Sequence, residues 1–371
     1  MCRRWAEGLA LAALMLVAGV ASAQAPADCG QRAAPACYQA FALPQGAGRL
    51  HYYASRQPEA PGAAAITSAL VVIHGHPRDA DRSFEAGLEA ARRAGRLADT
   101  LVIAPLYQVA AARSKGCRTE GAPVAEDGDA LWTCAGWLAG EPSETRPAIG
   151  AFAALDALVA ELARQWPALR TVTLAGFSAG AQMLQHSIGF AADAPSGLRL
   201  RHVVADPGSW LYFDPVRPLP VLGDQPADWS ACGEGATFPG ACGFRFAMPA
   251  GDCQGYDDWK YGVGRMPATL GRDAAAARQR YVAAEIQYLE GSLDSGKGRG
   301  AFYGILDKSC AAMLQGPFRL QRGVAFARYD REVLQSVPPH PLIVVEGCGH
   351  DVRCVLPSDA ARPVVFPPEG R

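Results

Sequence analysis

The stretch Thr171-Val-Thr-Leu-Ala-Gly-Phe-Ser-Ala-Gly-Ala181 decides the fold. Its first five residues are β-branched or apolar, as suits a buried strand, and Ala179 onward reads as helix. Between them Gly176-Phe177-Ser178-Ala179-Gly180 matches G-x-S-x-G, the pattern of a serine held on a sharp strand-to-helix turn. Glycines at both ends give the clearance such a turn needs. The pentapeptide alone is a modest signal, and a serine capping an ordinary helix is the bland alternative. Its position between a strand and a helix favours a nucleophile.

Working outward, short aliphatic runs recur at Ala69–His74, Thr100–Ala104, Val172–Ala175, His202–Ala205, Ile286–Leu289 and Leu342–Val345. Runs apolar on both faces predict central strands of a largely parallel sheet. Helical segments are expected at Ser83–Arg96, Ala148–Trp166 and Ala179–Ala192. In the second of these, Phe152, Leu155, Leu158, Val159 and Leu162 recur at helical spacing. Strand and helix in alternation predict an α/β fold with a mostly parallel sheet flanked by helices.

The 371 residues carry 35 Lys+Arg against 36 Asp+Glu, a formal net charge of −1. That balance argues against a nucleic-acid partner, which needs surplus positive charge. Half the residues are hydrophobic, which excludes a disordered chain. Arg3 and Arg4, the apolar run Leu9–Val20 and Ala21-Ser22-Ala23 have the layout of a secretory signal peptide over 1–23. An uncleaved anchor is the alternative, but the run is short for a membrane span. No stable membrane insertion is expected, and a secreted or periplasmic location is.

Of eleven Cys, Cys2 falls in that segment and ten remain, an even number that fits disulfide pairing in an oxidising compartment. Near neighbours suggest Cys29/Cys37, Cys117/Cys134 and Cys348/Cys354. No C-x-x-C pattern supports a metal site. Residues 24–371 read as a single domain. Two Gly-, Pro- and Trp-rich stretches interrupt it, Cys117–Pro147 and a longer cap-like insertion at about 207–272. Insertions of that length often serve as lids. A disulfide-stapled surface excursion is the alternative.

Ser178, the preceding Ile73-His74-Gly75-His76-Pro77 and a later acid and histidine together resemble the α/β-hydrolase superfamily. More narrowly, several segments resemble a group of secreted bacterial and fungal α/β hydrolases of esterase or depolymerase type. These are His74-Gly-His-Pro-Arg-Asp-Ala-Asp81, Ala104-Pro-Leu-Tyr107, Asp206-Pro-Gly-Ser-Trp210, Asp258-Trp-Lys-Tyr-Gly262, Lys308-Ser-Cys-Ala-Ala312 and Gln315-Gly-Pro317. The resemblance implies the α/β-hydrolase fold and a serine hydrolase, but it supplies no substrate.

The partners of Ser178 also follow from position. His350 comes just after the last strand, in Gly347-Cys-Gly-His350, where the base belongs. The acid is expected at a strand end between nucleophile and base. Asp294, after Ile286–Leu289 and a Gly turn, is the first choice. Asp206 is the runner-up, although the similar group often has Asn there. Backbone N–H groups of Ala179 and His76 are the expected oxyanion donors. His74-x-His76 lacks a third ligand, so neither metal nor cofactor is expected. The reading is a carboxylic ester hydrolase acting on a small or polymeric ester. A peptidase or amidase with the same site, and a non-catalytic binding protein on the same fold, stand as alternatives.

Overall fold

The computed structural model describes residues 29–234, 238 and 242–367. The expected signal peptide lies outside them. In chain order the strands are β1 (Tyr38–Ala42), β2 (Arg49–Ala54), β3 (Ser68–Ile73), β4 (Thr100–Leu106), β5 (Thr171–Phe177), β6 (Arg199–Ala205), β7 (Arg217–Leu222), β8 (Gln225–Pro226), β9 (Gly243–Ala247), β10 (Ile286–Gly291) and β11 (Leu342–Val345). The helices are α1 (Ala80–Arg93), α2 (Ala151–Gln165), α3 (Ala179–Ile188), α4 (Ala274–Ala283), α5 (Cys310–Met313), α6 (Arg319–Tyr329), α7 (Val352–Val355) and α8 (Arg362–Val365).

Eight strands form one sheet in the order β1-β2-β4-β3-β5-β6-β10-β11. All six aliphatic runs become strands of it. β4, β3, β5, β6, β10 and β11 run parallel, and β1 and β2 add an antiparallel edge. Alternate side chains feed two cores, as strand geometry dictates. Val71, Ile73, Val172 and Leu174 point to the layer holding α2, α3, α4 and α6. Leu70, Val72, Ala175 and Phe177 point to the opposite layer, which packs against α1, α7 and α8. This is the α/β-hydrolase architecture. The strand order reverses about β3, so the carboxyl ends of β3 and β5 lie side by side with the turn of Ser178 between them.

α1 begins at Ala80 and ends at Arg93, three residues ahead of the expected helix at both ends. The insertion is more ordered than its composition suggests, because β7, β8 and β9 form a small antiparallel sheet. Its aromatics turn inward: Trp210 stacks on Phe326 at 4.4 Å and Trp259 meets Phe190 edge-on at 5.5 Å. Five disulfides are present among the described residues. Three join the near neighbours expected, and Cys232–Cys242 and Cys253–Cys310 complete the set. Among the described residues no helix is long and apolar enough to cross a membrane.

Candidate active site

Ser178 sits between β5 and α3 with φ 57° and ψ −119°, a left-handed region that a β-carbon disfavours. The neighbouring packing holds it there. A β-carbon on Gly176 would collide with the Gly180 carbonyl, and one on Gly180 with the carbonyls of Ile73 and His74. The Ser178 N–H donates to Ala205 at 3.0 Å, tying the turn to the end of β6.

His350 and Asp294, the expected base and acid, arrive on two loops that are laced together. Leu293 N–H donates to the Cys348 carbonyl at 2.8 Å, and Gly347 N–H to Ser292 Oγ at 2.9 Å. A β-carbon on Gly291 would strike the Cys348 carbonyl. The Cys348–Cys354 disulfide closes the loop that carries His350, and His350 N–H donates to Gly300 at 2.9 Å. These constraints bring the three expected side chains into line. Ser178 Oγ lies 2.8 Å from His350 Nε2, and His350 Nδ1 lies 2.6 Å from Asp294 Oδ2. An ionised carboxylate only accepts, so Nδ1 carries the proton and Nε2 accepts from the serine hydroxyl.

Asp206 also ends its strand at a positive φ of 49°. A donor atom from each of Asp206, Asp294 and His350 lies within 4.8 Å of the others. Only Asp294 bonds to the imidazole. Asp206 Oδ1 instead accepts from Gly291 N–H at 2.7 Å.

Three residues that sequence reasoning missed complete the acid side. Arg319, the first residue of α6, is buried; its Nη1 lies 3.2 Å from Asp294 Oδ1 and donates to the Ala301 carbonyl at 2.8 Å. Phe177 packs its ring 4.7 Å from that of His350. Glu290, wholly buried beside Asp206, receives no N–H or O–H donor on either oxygen, and Asp206 Oδ2 receives none either. Burial pushes both carboxyls up, Asp206 further through the Asp294 charge and Glu290 through Asp206. Both carboxyls are therefore held toward their protonated forms. A lone buried Arg after a loop carries no pattern that a single sequence displays, and Glu290 reads merely as the end of a strand.

His350 is shifted below the ordinary imidazole value of 6.5 by burial and the Arg319 charge, against the pull of Asp294. It is therefore neutral at neutral pH. Ala179 N–H opens α3, and His76 N–H lies in the loop after β3. Neither donates a hydrogen bond among the described residues. Burial and the nearby Lys260 ammonium lower the His76 side chain, favouring its neutral form.

The other histidines have their own partners. His51 meets Asp129 at 2.8 Å and His340 meets Asp330 at 2.7 Å. His186 and His202 bond to backbone carbonyls, and His74 accepts from Tyr107 N–H at 3.2 Å. A cleft of about 430 Å³ opens beside Ser178 and His350. Its outer wall comes from residues 293–305, and no described residue of 207–272 lines it.

No family model matches the chain, and no curated protein sequence matches it. Solved structures do match its fold. Poly(aspartic acid) hydrolase-1 from Sphingomonas sp. KT-1 is similar with a TM-score of 0.53 at 20% identity, over 89% of this chain and 98% of that one. LpqC, a poly(3-hydroxybutyrate) depolymerase from Bordetella parapertussis, is similar with a TM-score of 0.51 at 14% identity, over 93% and 92% of the two chains. The protein has the α/β-hydrolase fold.

Proposed function

We propose that the protein is a secreted serine hydrolase that cleaves carboxylic esters through an acyl-enzyme on Ser178. The observation that carries the reading is the unbroken hydrogen-bond chain from Ser178 Oγ through His350 to Asp294, at 2.8 and 2.6 Å. His350 takes the hydroxyl proton as Ser178 attacks the acyl carbonyl. Asp294 keeps the imidazole in the tautomer that allows this and stabilises the imidazolium formed. The amides of Ala179 and His76, both without acceptors among the described residues, receive the oxyanion. His350 then gives its proton to the leaving oxygen, and water releases the acyl group by the same route.

Esters are the primary reading because an alkoxide leaves more readily than an amine. The amide reading stays second, favoured by the similarity to a poly(aspartic acid) hydrolase. Five disulfides suit an oxidising compartment, which supports export. The test is turnover of a short-chain p-nitrophenyl ester by oxidised protein beside Ser178→Ala. A burst of nitrophenol followed by turnover, both absent from the variant, supports the reading; equal rates in the two proteins remove it.

A further inference from the structure

The cleft beside Ser178 joins two features that globular surfaces seldom leave open together. Its rim carries Leu293, Phe302 and Ile305, which are 52%, 58% and 65% exposed. They are three of the seven large hydrophobic side chains left exposed among the described residues, so this rim is an apolar patch rather than background. The same cleft is lined by Arg82 and Arg299, neither of which has a hydrogen-bond or ion-pair partner among the described residues. Arg82 Nε is buried without an acceptor. By contrast Arg49, Arg113, Arg201, Arg217 and Arg280 each hold a carboxylate.

Two acids, Asp79 and Asp351, line the cleft as well. Asp351 accepts from Arg353 N–H at the start of α7 and lies 3.8 Å from the Arg353 guanidinium. Asp79 Oδ1 is buried and receives no donor, and its charge raises the proton affinity of the His350 imidazole. Neither guanidinium is hydrogen-bonded to either acid, and both lie in the cleft whose rim is apolar.

Direction follows from the chemistry. His350 Nε2 must hand its proton to the leaving oxygen, so the leaving group departs on the imidazole's side of Ser178. The cleft extends there from Gly75 and Pro77, walled on that side by Gly349, His350 and Asp351. We infer that the cleft receives a leaving alcohol that is apolar near its hydroxyl and ends in a carboxylate, so that the substrate is an ester formed on the hydroxyl of a hydroxy carboxylic acid. Leu293, Phe302 and Ile305 cover the apolar chain, and Arg82 and Arg299 receive the carboxylate. Hydrolysis breaks the acyl carbon–oxygen bond. The acyl group takes hydroxide from water and leaves as an acid, while the alkoxy oxygen takes the proton from His350 and leaves as the free hydroxy acid.

This assignment rests on the esterase reading, and the experiment separates the two. Release of acetate is measured from the O-acetyl ester of ω-hydroxyhexanoate, from the methyl ester of that compound, and from phenyl acetate as a neutral reference. The expected result is a kcat/KM about tenfold higher for the carboxylate than for its methyl ester. That preference should fall in about 0.5 M salt, where charges are screened beyond a few ångströms. It should drop to about unity in Arg82→Gln/Arg299→Gln and reverse in Arg299→Glu. The salt titration needs no variant and therefore no variant that folds. Equal rates on the two hexanoates, with Ser178-dependent turnover of phenyl acetate, overturn the carboxylate site and leave the esterase. Absence of Ser178-dependent turnover on all three overturns both.

Discussion

Arg319 holds one oxygen of Asp294 at 3.2 Å while the other accepts from His350 at 2.6 Å, so the carboxylate is clamped between a fixed cation and the imidazole. All three groups are buried. The arrangement sets the pH at which the base is ready. Burial and the Arg319 charge hold His350 below 6.5, and only its neutral form can accept from Ser178. Esterase kcat/KM should therefore rise with pH along an acidic limb whose midpoint lies below 6.5. Replacing Arg319 with Gln removes one of the two influences that lower the imidazole, so that limb should move to higher pH. A limb that stays in place, in a variant that remains folded, would refute this role for Arg319.

Asp294 and Asp206 differ in what they touch, and substitution should separate them. Asp294→Asn supplies a side chain that can donate to Nδ1 and so favours the wrong tautomer; kcat should fall by about ten-thousandfold. Asp206→Asn keeps an acceptor for Gly291 N–H and replaces a carboxyl that is already held protonated. Its kcat should change by less than about tenfold. Steady-state kinetics on one ester decides, and the reverse order would make Asp206 the acid.

The Asp206–Glu290 pair predicts a stability trend. Both carboxyls are raised in the folded protein, Asp206 by burial and the Asp294 charge, Glu290 by burial and Asp206. A raised carboxyl favours folding most below its unfolded pKa of about 4.3, and that contribution is lost as pH rises toward the folded value. Glu290→Gln cannot ionise and can donate to Asp206 Oδ2. The melting temperature of Glu290→Gln minus that of the parent should grow between about pH 5 and about pH 8. A constant difference would mean that Glu290 holds no such proton.

The Cys348–Cys354 disulfide closes a short loop around His350. Loop-closure entropy assigns it about 2 kcal/mol. Cys348→Ser/Cys354→Ser should lower stability by roughly that amount. Activity should fall further, measured below the melting transition, because the loop also positions the base. Full activity in a folded double variant would show that the lacing of Gly291 to Leu293 against the His350 loop suffices.

Much of the site was legible because it depends on short-range rules. Gly176 and Gly180 announce the turn of Ser178, and His350 follows the last aliphatic run with two cysteines around it. The expected acid was only half legible: Asp206 and Asp294 end neighbouring strands, and of the two only Asp294 is hydrogen-bonded to His350, at 2.6 Å. Arg319 and Glu290 were invisible, since their meaning lies in what surrounds them in three dimensions. The fold shows the same division. Runs buried on both faces betray the central strands, whereas β7 carries Pro218 and Pro220 and reads as loop. It tolerates them because β8 pairs only with its far end, at Val221 and Leu222, with Ala227 N–H donating to the Pro220 carbonyl, and among the described residues no strand asks that edge for the N–H groups that Pro218 and Pro220 lack.

The most direct test of the central claim is to trap the serine. Oxidised protein treated with a fluorophosphonate should gain a single adduct by intact-mass analysis. Peptide mapping should place it on Ser178, and neither Ser178→Ala nor protein with His350→Ala should react at a comparable rate. Folded protein that stays unlabelled, or that is labelled equally well without Ser178, would contradict the account.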